Sequence, residues 1–129
     1  MPTERRPLDA NLAAQAGKTE DEAVAWWKLR MEQIANIPSP TARAGALVPE
    51  WRELATLPEA QRLTLTKARI LAVEQLTMEQ RDRVFEARSI GIQQAPDAAA
   101  ADATFVRDRV APTLPGPLQQ RVREMTDRT

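Results

Sequence analysis

The sequence predicts an all-α fold, an irregular bundle or αα-hairpin array of about five to six short helices. Ala, Leu, Arg, Glu and Gln dominate the segments with apolar periodicity, and runs of β-branched residues are missing. Ten prolines and four glycines fall mostly between those segments. The phrase Leu-Pro-Glu-Ala-Gln-Arg at 57–62 returns nineteen residues later as Leu-Thr-Met-Glu-Gln-Arg at 76–81, with a looser copy at 114–121. This echo is too short for a two-helix repeat and therefore marks successive helix starts.

The first two helices follow a polar leader. Residues 1–18 form that leader, which either docks on the domain through Leu8 and Leu12 or stays mobile. A capping box of Thr19 and Glu22 starts a helix that should run to about residue 37. A second helical region spans roughly 41–56, and Pro49 inside it predicts a kink or a restart.

The third and fourth helices follow the two close copies of the repeated phrase. The third should run from Pro58 to about residue 75 and supply the central core helix. The fourth starts with Thr77 as N-cap, has Gln80 at the capping-box position, and should stop at Gly91. Its candidate buried side chains are those at the apolar positions: Met78, Val84, Phe85 and Ile92.

Prolines delimit the last two helices. Asp97 is placed to cap a fifth helix that ends before Pro112, and Pro115 or Pro117 opens a sixth with a narrow apolar stripe. The length fits one hydrophobic core. We therefore expect a single helical domain over 19–129, preceded by the leader at 1–18.

Composition excludes several kinds of chemistry. Cysteine, histidine and tyrosine are absent, so thiolate nucleophiles, the commonest transition-metal ligand and a neutral-pH proton carrier are all missing. We expect no enzyme activity, no metal and no cofactor. Eighteen basic residues balance eighteen acidic ones, which favours neither nucleic acid nor an anionic membrane. No stretch approaches the roughly 20 apolar residues of a membrane span, and no secretory signal opens the chain, so a cytoplasmic location is expected.

The leading functional hypothesis is a small protein–protein interaction module, an assembly, regulatory or accessory subunit that binds another protein or a second copy of itself. Neighbouring helical residues point about 100 degrees apart, so Trp26 and Trp27 cannot both enter one narrow core stripe. Tryptophan is enriched at interaction hot spots. The candidate partner-binding residues are two tryptophans and two arginines of the repeated phrase: Trp26, Trp51, Arg62 and Arg81.

Two alternatives stay open. A regulatory nucleic-acid-binding protein would use a basic ridge of Arg69, Arg81, Arg83 and Arg88, although acidic residues interrupt it at helical spacing. A chaperone or apolar-ligand carrier would use the flexible side chains of Met31, Met78 and Met125 to line an adaptable surface or cavity.

Two short stretches carry a resemblance. Leu-Thr-Met-Glu-Gln at 76–80 resembles the Leu-Thr-x-x-Gln signature of a family of helical periplasmic chaperones and metal-stress sensors. The stretch 49–88 is similar to bacterial proteins that alternate tryptophan with Leu-(Thr/Pro)-x-x-Gln-Arg helix starts. The resemblance covers at most forty residues and implies helical structure and a bacterial source. It assigns no functional residue.

Overall fold

The computed structural model describes residues 12–15 and 17–127, and these contain six α-helices and no strand. The helices are α1 (Glu20–Ala35), α2 (Pro40–Ala55), α3 (Glu59–Val73), α4 (Met78–Gln94), α5 (Pro96–Phe105) and α6 (Gly116–Thr126). A π-helical segment, Val106–Val110, and a 3-10 turn, Ala111–Thr113, extend α5, and another 3-10 turn, Leu12–Gln15, precedes α1. The predicted all-α class is confirmed.

The main core lies among the first five helices. Helix α1 packs on α3, α2 packs on α4, and α5 lies against both α2 and α4. The buried apolar side chains of these helices form one cluster, with Trp27, Met31, Ile34, Leu54 and Leu65 among its largest members. These side chains recur at three- and four-residue spacings, which explains why the segments fold as amphipathic helices.

A second, smaller cluster holds the C-terminal part of the structure. It joins the π-helical segment and the 3-10 turn to α6, through Val106, Val110, Leu114, Leu118 and Val122. Helix α6 packs chiefly against these two short elements. The last helix is therefore attached to the body through a cluster that is separate from the main core and smaller than it.

The predicted helix starts are confirmed where a side chain makes the cap. Both capping boxes form, at Thr19 with Glu22 and at Thr77 with Gln80. Ser39, which the sequence interpretation overlooked, caps α2. The predicted cap at Asp97 is wrong, because α5 begins one residue earlier at Pro96 and has no side-chain cap. Proline suits this first position since the amide hydrogen that it lacks would have no helical partner.

The predicted restart at Pro49 is also wrong, since α2 continues through it as one helix. The proline is exposed, whereas Leu47, Val48, Trp51 and Leu54 around it are buried in the main core. Tertiary packing on both sides of the proline offsets the one backbone hydrogen bond that it removes.

Gly91 does not end α4, which runs three residues further to Gln94. The glycine lies inside the helix against the indole of Trp51, and a Cβ atom added to it would come 2.9 Å from Cη2 of that ring. The glycine that predicted a C-terminal stop instead allows the close approach between α4 and α2.

Burial differs from prediction on α4 and in the leader. Met78 is 78 % exposed and Phe85 is 39 % exposed, so the expectation that both are buried is wrong. Leu12 is fully buried in the main core, and its backbone N–H donates to Oε2 of Glu53 at 2.9 Å. Leu8 lies outside the described residues. In the part of the chain that the structure describes, no helix has both the length and the apolar character needed to cross a bilayer.

Candidate functional site

A cleft of about 430 Å³ separates α6 from the body of the bundle. Its walls are largely apolar and come from all six α-helices, with apolar contributions from Met31, Leu47, Trp51, Ile70, Val84 and Val122. Leu118 and Val122 anchor α6 in the smaller cluster, and the same two side chains with Met125 form the apolar part of the α6 wall of the cleft. It is large enough for a small organic molecule, since such sites usually measure about 300–1,000 Å³.

A buried carboxylate, Glu50 of α2, lies in the cleft lining. Glu50 is 2 % exposed, and its Oε2 accepts a hydrogen bond from Nε of Arg30 on α1. Arg30 is also buried. The second oxygen, Oε1, is buried and accepts no hydrogen bond from the described protein atoms. Burial raises the pKa of Glu50 to about 7, although the Arg30 guanidinium opposes that rise.

A second ion pair lies beside Glu50 in the lining. Arg69 of α3 donates two hydrogen bonds to the carboxylate of Asp102 on α5, over 3.2 and 2.9 Å. Both side chains are largely shielded from water, and their charges act on Glu50 in opposite directions. With both carboxylates ionised, the charges of this pair and of the Arg30–Glu50 pair cancel, which is the arrangement that a low-dielectric interior tolerates.

Polar side chains surround the mouth of the cleft. Arg81 on α4 donates to the backbone oxygen of Glu74, and Arg121 on α6 forms an ion pair with the carboxylate of the same residue. Arg88 and Ser89 complete the α4 side. The cleft thus has largely apolar walls, a polar mouth, and three buried charged residues in its lining, Glu50, Arg69 and Asp102, of which Glu50 is paired with the buried Arg30.

The two predicted tryptophan contacts occupy different environments. Trp26 is half-buried, lies edge-on to Trp27 with 4.9 Å between ring centroids, and has the guanidinium of Arg30 over its own ring at 5.5 Å. Leu29, one turn further along α1, is 50 % exposed. Trp51 is buried, with 5 % of its surface exposed, and contributes to the cleft wall.

The predicted arginines are spread over several surfaces. Arg62 lies over the ring of Phe105 at 4.1 Å, and partial burial lowers its pKa. Arg83 donates to the backbone oxygen of Ala35 and pairs with Glu79, away from the cleft. Arg81 and Arg88 line the cleft, and Arg69 is engaged with Asp102. A shared nucleic-acid surface of Arg69, Arg81, Arg83 and Arg88 stays a prediction, and the ion pairs of Arg69 and Arg83 give it no added support.

Sequence reasoning did not select Arg30, Glu50 or Asp102 as site residues. A signal was nevertheless present, because the missed residues stand at helical spacing on apolar stripes: Arg30 between Trp27 and Ile34, Glu50 between Leu47 and Leu54, and Asp102 between Ala99 and Val106. A charged residue at such a position must find a partner in the interior. Which partner it finds depends on the packing of distant helices.

Comparison of the chain with known protein families, with curated proteins and with solved structures finds no match. The geometry and chemistry of the cleft are therefore the basis for a proposed function.

Proposed function

We propose that this protein is a non-catalytic binding protein that holds a small, mainly apolar molecule in the cleft, as a carrier or as a ligand-responsive subunit. The observation that supports this function is the cleft of about 430 Å³ with apolar walls and buried charged groups in its lining. Apolar walls with a few placed polar groups are the usual composition of small-molecule sites. Of the three methionines considered for a carrier, Met31 and Met125 line the cleft, whereas Met78 is exposed elsewhere.

A neutral apolar dye tests this proposal. N-phenylnaphthylamine fluoresces strongly when it leaves water, so titration with the purified protein should give saturable enhancement with one dye per chain. Ser89 is exposed at the mouth, and Ser89→Trp should obstruct the cleft and weaken dye binding at least about tenfold. Gln93→Trp is the matched control, because it adds the same indole to an exposed position of α4 outside the cleft.

Equal dye binding by the two tryptophan variants would contradict the assignment of the ligand to this cleft. An absence of saturable binding in the unmodified protein would contradict the proposed function itself.

Protein–protein interaction is the second proposed function, and the α1 surface around Trp26 supports it. Trp26 is half-buried and Leu29 beside it is half exposed, a combination that leaves apolar area available to another protein or to a second copy of the chain. Light scattering measures the native mass. If the surface mediates self-association, Leu29→Glu should convert the oligomer to a monomer, whereas Lys28→Glu on the same helix should change it less. A monomer at all concentrations would rule out the second copy as the partner.

A further inference from the structure

Two buried polar atoms of residues that line the cleft, Oε1 of Glu50 and Nε of Arg81, have no hydrogen-bond partner among the described protein atoms, and Glu50 is the more deeply buried of the two residues. Oε2 of Glu50 accepts a hydrogen bond from Arg30, whereas Oε1 is buried and has no hydrogen-bond partner among the described protein atoms. Buried acceptors are nearly always satisfied, because an unmade hydrogen bond there is costly. Since Glu50 lies in the cleft lining, a molecule bound in the cleft is placed to satisfy it.

The charge of the surrounding groups restricts what kind of donor this can be. The charged groups that act on Glu50 are Arg30 from α1, Arg69 from α3 and Asp102 from α5. With both carboxylates ionised, two positive and two negative charges cancel. An ammonium group beside Oε1 would leave an excess positive charge in a poorly solvated place, and a second carboxylate would leave an excess negative one. A neutral hydroxyl or N–H group provides the hydrogen bond without disturbing this balance.

We infer that the ligand is an uncharged, mainly apolar molecule bearing one hydroxyl or N–H group, and that this group donates a hydrogen bond to Oε1 of Glu50. The inference rests on the proposed ligand-binding function and specifies the chemistry of its ligand. The apolar body lies against Ile70, Val84 and Val122, and the donor lies against α2. Because Oε1 is covered in this structure, the donor reaches it when a side chain of the cleft wall moves, and the lining includes a flexible methionine, Met31.

Four naphthalenes with one substituent at the same ring position separate these possibilities: naphthol, fluoronaphthalene, naphthylmethylamine and naphthoate. Their binding is measured by calorimetry or NMR titration near pH 8, above the pKa of Glu50. Naphthol should bind about tenfold more tightly than fluoronaphthalene, the expected effect of one hydrogen bond to a charged acceptor. The ammonium and carboxylate compounds should bind more weakly than naphthol. With carbon-13 placed in the Glu50 carboxyl group, the NMR chemical shift of that carbon should change when naphthol is added and should not change when fluoronaphthalene is added.

Equal binding of all four compounds would overturn the inference about Glu50 and leave the proposed function standing. No binding by any of them would overturn both. Tightest binding by the amine would show that Glu50 selects a cation, and would also overturn the inference.

A double variant checks that Glu50 is the acceptor. Arg30→Leu with Glu50→Leu removes both charges together, so that neither is left buried without its partner. This variant should bind naphthol and fluoronaphthalene equally well. A preference for naphthol that survives the double change would assign the acceptor to another group and overturn the inference. If the double variant does not fold, the carbon shift in the unmodified protein decides the same question.

Discussion

Glu50 couples the stability of the fold to pH. Its pKa is raised from 4.5 to about 7 by burial, with Arg30 and Arg69 opposing the rise and Asp102 adding to it. Between these two pH values the folded state holds a proton that the unfolded chain has released. The free energy of unfolding contributed by this group is therefore fully present below about pH 4.5 and is lost as the pH rises through about 7.

Glu50→Gln removes this titration and should flatten the pH dependence of stability. Urea unfolding of the two proteins between pH 4.5 and 8 should show the unmodified protein losing roughly 1–3 kcal/mol relative to the variant. Glu124→Gln, which removes an exposed carboxylate of the same size, is the control. Parallel pH profiles for Glu50→Gln and the unmodified protein would show that Glu50 is already ionised at low pH in the folded state.

The pair of Arg69 and Asp102 gives a prediction about broken and replaced ion pairs. Asp102→Ala leaves the shielded Arg69 guanidinium without its two acceptor bonds and should lower the free energy of unfolding by about 3–5 kcal/mol. The double variant Arg69→Met with Asp102→Leu should recover most of that loss. Thermal or urea unfolding of both variants checks this. A double variant as unstable as Asp102→Ala would show that the pair is needed for packing rather than for charge balance.

The sequence allowed the helices to be predicted better than the site, for a physical reason visible in these residues. A capping box joins groups three residues apart, so local chemistry decides it. The ion pairs of the cleft join residues 20 and 33 positions apart, and their formation depends on how separate helices pack. The charged positions on the apolar stripes were visible in the sequence, but their pairing was not.

At the scale of the helix, the contact between α2 and α4 depends on Gly91. Alanine in the middle of a helix is normally more stabilising than glycine by about 1 kcal/mol. In Gly91→Ala the new Cβ would meet the Trp51 ring at 2.9 Å, so we expect a loss of roughly 1–3 kcal/mol instead. Gly45→Ala in α2 is the matched control, because its Cβ would have no neighbour within 4 Å, and it should gain about 0.5–1 kcal/mol.

Urea unfolding of the two alanine variants measures these opposite effects. Stabilisation by both changes would mean that Trp51 moves aside without cost and that the close approach does not constrain α4.

The contact between Gly91 and Trp51 also explains why the helix stop predicted at Gly91 was wrong, because a glycine that ends a helix and a glycine that allows close packing look alike in sequence. Only the partner helix, forty residues earlier in the chain, distinguishes them.

For the whole molecule, the division of the core into two clusters predicts unequal local stability. Helices α1 to α5 contribute to the larger cluster, whereas α6 is held by the smaller one and by polar contacts such as the hydrogen bond that Nε2 of Gln119 donates to the backbone oxygen of Ala111. Segments with few buried apolar contacts open at lower free energy than the global transition. Amide hydrogens of α6 should therefore exchange faster than those of α1 in the free protein.

Ligand binding should reduce this difference, because α6 forms one wall of the cleft. Saturation with naphthol should slow amide exchange in α6 more than in α1, since opening of that helix would release the ligand.

Val122→Ala shortens a buried side chain that both anchors α6 and lines the cleft. It should cost about 1–2 kcal/mol, speed exchange in α6 selectively and weaken naphthol binding. Val24→Ala makes the same chemical change in the main core and should lower global stability while leaving naphthol affinity unchanged. Equal exchange of α1 and α6 in the free protein would show instead that both clusters unfold as one unit, and α6 would then be a fixed wall of the site.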